Sequence, residues 1–98
     1  MIYVLFYDIA TDKLRTKIAK LLISMGYERM QYSVFTGLEN PVKNTYLWQA
    51  IQKILKGEPE AKLYVLPIKK VHFCAMQGIG VGQVDLEYLA GLRRSLIV

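Results

Sequence analysis

MIYVLFYDIATDKLRTKIAKLL, residues 1–22, decides how the rest of the chain is read. Residues 2–9 are rich in β-branched and aromatic side chains and predict a strand. Alternation puts Ile2, Val4, Phe6 and Asp8 on one side of it and Tyr3, Leu5 and Tyr7 on the other. The strand is apolar on both sides until it ends on a carboxylate. Thr11 or Asp12 then caps a helix whose apolar positions, Leu14, Ile18, Leu21, Leu22 and Met25, make one continuous stripe. Gly26 ends that helix. Its opposite face reads as basic, with Lys13, Arg15, Lys17 and Lys20.

The same reading carries outward. Residues 27–37, containing RMQYSVFTG, predict a second strand, which can bend or split into 28–32 and 33–37. ENPVKN marks a second helix, with Asn40 as its cap and Pro41 at the first helical position. Leu47, Ile51, Ile54 and Leu55 form its buried stripe and Gly57 terminates it. AKLYVLPI, residues 61–68, predicts a third strand, and KVHFCAM, residues 70–76, a fourth, joined by a tight turn at Lys69 and Lys70. In the tail, GIGVGQ reads as a flexible link, VDLEYLAGLRR as a short helix and SLIV as a closing strand.

Ninety-eight residues make one domain, 1–98, with residues 77–98 as a tail. The apolar share, 53%, is high for a small monomer. Two helices cover one face of a small sheet, and the strands at 2–9 and 61–68 are apolar on both sides. A second copy in a two-fold dimer is the simplest cover for the remaining face. The net charge of +5 favours anionic partners such as nucleic acid. No basic region precedes the first apolar run and no apolar stretch is long enough to span a bilayer, which predicts neither a signal peptide nor a membrane partner. The single cysteine, Cys74, excludes an internal disulfide and fits a reducing, cytoplasmic setting.

Two readings of Asp8 follow from the residues. It can simply cap the turn after the strand, a common place for Asp. Alternatively, a two-fold dimer brings two copies of Asp8 together, and a divalent cation relieves their repulsion. Mg²⁺ keeps most of its waters and accepts one or two carboxylates, so a single acid per chain suffices. A cation held there supports attack on a phosphodiester, and the basic helix that begins just after Asp8 can hold phosphates nearby.

YDIATDKLRTKIAKLL followed by RMQYSVFTGL resembles the CRISPR-associated Cas-two family. The likeness covers residues 1–68: the strand ending in Tyr-Asp, the basic Lys-x-Arg-x-Lys helix, the Arg-x-Gln-x-Ser-Val-Phe strand and the Tyr-Val-Leu-Pro strand. It implies an α+β, ferredoxin-like βαββαβ sandwich with an extra C-terminal strand, assembled as a homodimer. It implies one Mg²⁺ per dimer shared by two Asp8, with Tyr7 beside the acid. Arg15 and Lys17, with Lys13 on the same helix, are then nucleic-acid contacts, and Arg29 and Phe35 line the cleft. The family often has Arg where this chain has Lys17. It also implies a place in antiviral defence: partnership with the Cas-one integrase and duplex DNA in spacer acquisition, with metal-dependent endonuclease activity on RNA or DNA in some members. Its last strand often crosses to the partner subunit, and SLIV is the candidate for that here.

Other readings compete. A non-catalytic, RNA-binding ferredoxin-like module stacks bases on sheet aromatics in a K/R-G-F/Y-G/A-F-V pattern, which RMQYSVFTG lacks. On a strand, His72 and Cys74 point the same way, but no second pair completes a zinc site. GIGVG lacks the strand-then-helix setting of a phosphate cradle. Tyr46 and Trp48 on the second helix read as packing residues or partner contacts.

Overall fold

The computed structural model describes residues 1–80 and 85–92. Its central strand is β1, Ile2–Asp8, which pairs antiparallel with β3, Val34–Gly37, on one side and with β4, Lys62–Ile68, on the other. β2, Glu28–Gln31, adds to the far edge of β3, giving the order β2-β3-β1-β4. Helix α1, Asp12–Ser24, links β1 to β2, and α2, Thr45–Leu55, links β3 to β4. This is the predicted ferredoxin-like βαββαβ arrangement. Pro67 lies in β4, where an edge strand tolerates its missing donor.

The predicted second strand splits because Tyr32 and Ser33 form a tight turn, with Ser33 at φ 67°. A register shift between Arg29 and Gln31 follows in β2. The second helix starts later than Asn40 and Pro41 predict. Asn40 instead caps a 3₁₀ turn, Pro41–Lys43, and the Asn44 side chain then accepts from Leu47 N at 3.1 Å to open α2. Two asparagines four positions apart make two caps in series.

One face of the sheet carries the main core. Leu5, Tyr7, Ile9 and Phe35 pack there against Ile18, Ala19 and Leu22 of α1 and Leu47 and Ile51 of α2. Tyr27 closes this core, its hydroxyl donating to the Glu39 carbonyl at 2.7 Å. A Cβ at Gly37 would stand 2.3 Å from the Tyr27 ring, so glycine is what lets the ring lie on β3. Gly26, at φ 90°, ends α1 as its spacing predicts.

The other face departs from the sequence reading. Residues 70–76 are not a strand: Lys70–Cys74 forms a short helix, α3, with Lys69 as its cap rather than half of a hairpin turn. Alternation would bury Val71 together with Phe73, yet Val71 is 71% exposed while Phe73 is fully buried. Helical spacing turns Phe73 and Cys74 together onto Ile2 and Ile68, which is the burial available there. A second short helix, α4, Leu86–Leu89, opens with the Asp85 side chain accepting from Tyr88 N at 3.1 Å. It brings Leu89 and Ala90 onto the same patch. The chain itself therefore covers half of the face assigned to a partner. The half that stays open carries Phe6, Tyr64 and Leu66, at 40, 53 and 48% exposure. The predicted closing strand, residues 95–98, and part of the predicted link, residues 78–83, lie outside the described residues.

Candidate functional site

Asp8 is the last residue of β1, and alternation sends it to the half-open face with Val4 and Phe6. It is exposed, and among the described residues nothing donates to its carboxylate. The β1–β4 register places Lys62, also exposed, directly opposite. One step along the same face, the rings of Phe6 and Tyr64 stack with centroids 5.4 Å apart. The site is thus an open acid beside a lysine, at the edge of an apolar shelf.

Behind Asp8 the loop to α1 is held tightly. Arg15 Nη1 donates to the Ile9 carbonyl at 2.6 Å and to the Ala10 carbonyl at 2.9 Å. Its Nη2 pairs with the Asp12 carboxylate, and its Nε donates to Tyr32 Oη at 3.1 Å. All three guanidinium nitrogens are engaged. The sequence reading grouped Arg15 with the lysines, but Lys13 and Arg15 are about 200° apart on a helix. Lys13, Lys17 and Lys20 are exposed on the outer side of α1, while Arg15 turns inward and is partly buried. Thr11, at the N-cap position, uses its hydroxyl to donate to Glu58 Oε1 at 3.2 Å instead of capping.

The remaining sequence candidates lie on the opposite side of the sheet from the Asp8 carboxylate. Tyr7 is buried, with its ring 6.3 Å from that of Phe35 and nearly parallel to it. Phe35 is fully buried, and the Arg29 guanidinium sits 5.1 Å above its ring. Phe35 can therefore meet a ligand only through Arg29, which it supports. The candidates divide into three places: Asp8 on the half-open face, the Tyr7, Phe35 and Arg29 stack on the helix side, and the outer lysines of α1. Two residues at this end of the sheet escaped the sequence reading. Lys62 needs the strand register to be seen, and Tyr32 needs the split of the second strand.

The donor set fits a shared cation and not a self-contained one. Asp8 offers one open carboxylate per chain, and among the described residues no three His, Cys, Asp or Glu gather as a metal site. A second carboxylate, from another copy, would complete such a pair, within the one or two carboxylates that Mg²⁺ takes. On α3, His72 and Cys74 are about 200° apart and do not share a face. Among the described residues no helix is long and apolar enough to cross a membrane.

Residues 1–75 match the model of the family described as CRISPR associated protein Cas2. A CRISPR-associated endoribonuclease Cas2 of Archaeoglobus fulgidus is 32% identical over 87 residues, which is 89% of both chains. One from Synechocystis is 33% identical over 85 residues, covering 87% of this chain and 82% of the relative. Among solved structures, Streptococcus pyogenes Cas2 superposes with a TM-score of 0.66 at 21% identity, over 82% of this chain and all of that one, a likeness of fold. A hypothetical protein from Thermus thermophilus, TT1823, gives 0.65 at 29% identity over 85% of this chain and 94% of that one. With three quarters of its length matched by the family model and two relatives above 30% identity over more than four fifths of both chains, the chain belongs to the CRISPR-associated Cas2 family.

Proposed function

We propose that the chain is a homodimeric, Mg²⁺-dependent endonuclease of single-stranded RNA, with Asp8 at its centre. The observation that carries this reading is an exposed carboxylate without a donor, set beside an uncovered apolar shelf. Two copies packed over Phe6, Tyr64 and Leu66 remove that shelf from water and draw two Asp8 together. The paired acids hold the cation, which supplies electrophilic polarisation of the phosphate and activation of water. Lys62 offsets phosphate charge across the strand from Asp8. Arg15 fixes the loop that follows the acid, and the buried Tyr7 ring anchors the strand end from behind. The names of the relatives, CRISPR-associated endoribonucleases, favour RNA as substrate.

A second role is favoured by the placement of Lys13, Lys17 and Lys20. They face away from the Asp8 side and form a stripe suited to a duplex backbone. We assign this stripe to duplex DNA held for the Cas integrase in spacer acquisition, independently of Asp8, in the cytoplasm. Cleavage of labelled single-stranded RNA and binding of duplex DNA, each with Mg²⁺ or a chelator, test both roles together. Asp8→Asn is expected to lower cleavage by about 100-fold or more and to leave duplex binding intact. Lys17→Glu is expected to weaken duplex binding and reduce its salt slope by about one unit per copy of the site, with cleavage preserved. Cleavage that survives Asp8→Asn overturns the catalytic assignment, and duplex binding that follows Asp8 rather than Lys17 overturns the division of surfaces.

A further inference from the structure

Tyr32 stands at the tip of the β2–β3 turn with 72% of its surface exposed. A ring this open contributes little to the core. The loop beside it has anchors of its own: Arg15 also bonds the Ile9 and Ala10 carbonyls and Asp12, none of which involves the ring. Yet the ring is held in place. Its hydroxyl accepts from Arg15 Nε at 3.1 Å, and the guanidinium carbon lies 5.9 Å from the ring centroid. The turn beneath it is fixed too, because Ser33, at φ 67°, offers its carbonyl to Tyr7 N at 3.1 Å. That bond docks the turn one residue from Asp8, so the ring and the acid share one end of the sheet.

We propose that Tyr32 is a stacking platform for one unpaired base of a single-stranded RNA whose backbone passes Asp8. This rests on the RNA-cleaving reading above and adds to it the residue that selects unpaired over paired substrate. Only an unpaired base presents its π-face to a side chain at a surface tip, whereas a base inside a duplex is already stacked on both sides. A ring immobilised in advance loses little further freedom on binding, which favours affinity. Arg15 braces the ring, and the exposed ring surface is what remains for the base. Arg15 thus acts as a positioning residue through Tyr32 and the loop.

The test is equilibrium binding of a short fluorescent single-stranded RNA in a chelator, which stops metal-dependent cleavage, beside a blunt RNA duplex of the same sequence. Tyr32→Ala is expected to weaken single-strand binding by about 10-fold and to leave duplex binding unchanged. Tyr32→Phe keeps the ring but loses the bond from Arg15, and is expected to bind between the wild type and Tyr32→Ala. A 2-aminopurine probe walked along the RNA should be quenched at one position, and Tyr32→Ala should release that quench. Equal losses on single strand and duplex would make Tyr32 a structural brace and overturn the proposal, as would no loss on either. If the wild type cleaves RNA through Asp8 while Tyr32→Ala binds normally, the platform alone fails. If the wild type neither binds nor cleaves single-stranded RNA, both readings fail.

Discussion

On one face of the sheet, Leu5, Tyr7 and Phe35 meet helices of 13 and 11 residues, and the core they form is closed by Tyr27. On the other, Ile2 meets Phe73 and Leu89 from helices of five and four residues and Ala90 just beyond them, while Phe6, Tyr64 and Leu66 remain open. The second face also buries the Thr36 hydroxyl without a hydrogen-bond partner among the described residues. Helices of one turn do not hold themselves together in water; they persist only while docked. The first face therefore stabilises the fold, and the second is covered conditionally. The open acid lies on the second, where a surface can still be exchanged for another one.

The largest expected effect sets these two covers against each other. Phe35→Ala removes a fully buried ring from the main core and is expected to cost about 3–5 kcal/mol, a large part of the stability of a small domain. Phe73 is equally buried, but its cost is capped by the free energy that docks α3 and α4. Once they undock, further loss goes unseen, so Phe73→Ala is expected to cost about 2 kcal/mol or less of global stability. Urea unfolding gives the totals, and amide exchange should show the Phe73 variant opening at α3 and α4 alone. Equal costs with global exchange would mean that the short helices belong to one cooperative core.

Next in size is an effect on association. Tyr64→Glu places a charge on the open half of the second face. Its effect on the unfolding of one chain is expected to stay within about 0.5 kcal/mol, as at an ordinary surface site. Sedimentation should nevertheless show the proposed dimer lost, because a carboxylate buried in an apolar interface without a partner is costly. A Tyr64→Glu protein that stays dimeric would move the interface away from this shelf.

The two faces were not equally legible in the sequence. Strand β1, the stripe and Gly26 stop of α1, the stripe of α2, and β4 follow from long, consistent patterns, and with Phe35 they build the first face. KVHFCAM is too short for its period to choose between strand and helix, and the decision falls to where Phe73 can be buried. Asp8 was legible because an acid at the end of an apolar strand breaks its pattern. Lys62 was not, because its relation to Asp8 exists only in the register of β1 with β4. Arg15 looked like one more helix cation. Its inward turn follows from about 100° per residue, and its bonds to the loop carbonyls need the fold.

The smallest expected effect is alkaline, and it compares one tyrosine on each face. Tyr27 closes the first core, and its pKa is pushed up to about 12, by burial first and then by the negative charge of Glu39 and Tyr3. Tyr88 tops the second face and is raised as well, chiefly because its hydroxyl donates to Glu28 Oε1 at 2.8 Å. In both cases folding favours the neutral phenol. The stabilisation is therefore complete below the unfolded value near 10 and disappears as pH rises through the folded one. For Tyr27 the window is pH 10 to about 12. Tyr27→Phe gives up the bond to the Glu39 carbonyl, so it should start about 1 kcal/mol below the wild type at neutral pH, draw level with it inside that window and stand above it at the upper end. Lysines deprotonate there too, so the readout is the difference between variant and wild type in urea midpoint. Tyr88→Phe, at an exposed hydrogen bond screened by water, should run parallel to the wild type throughout. If Tyr88→Phe converges and Tyr27→Phe does not, α4 is tied to β2 more firmly than four helical residues account for, and the second face is no longer the looser one.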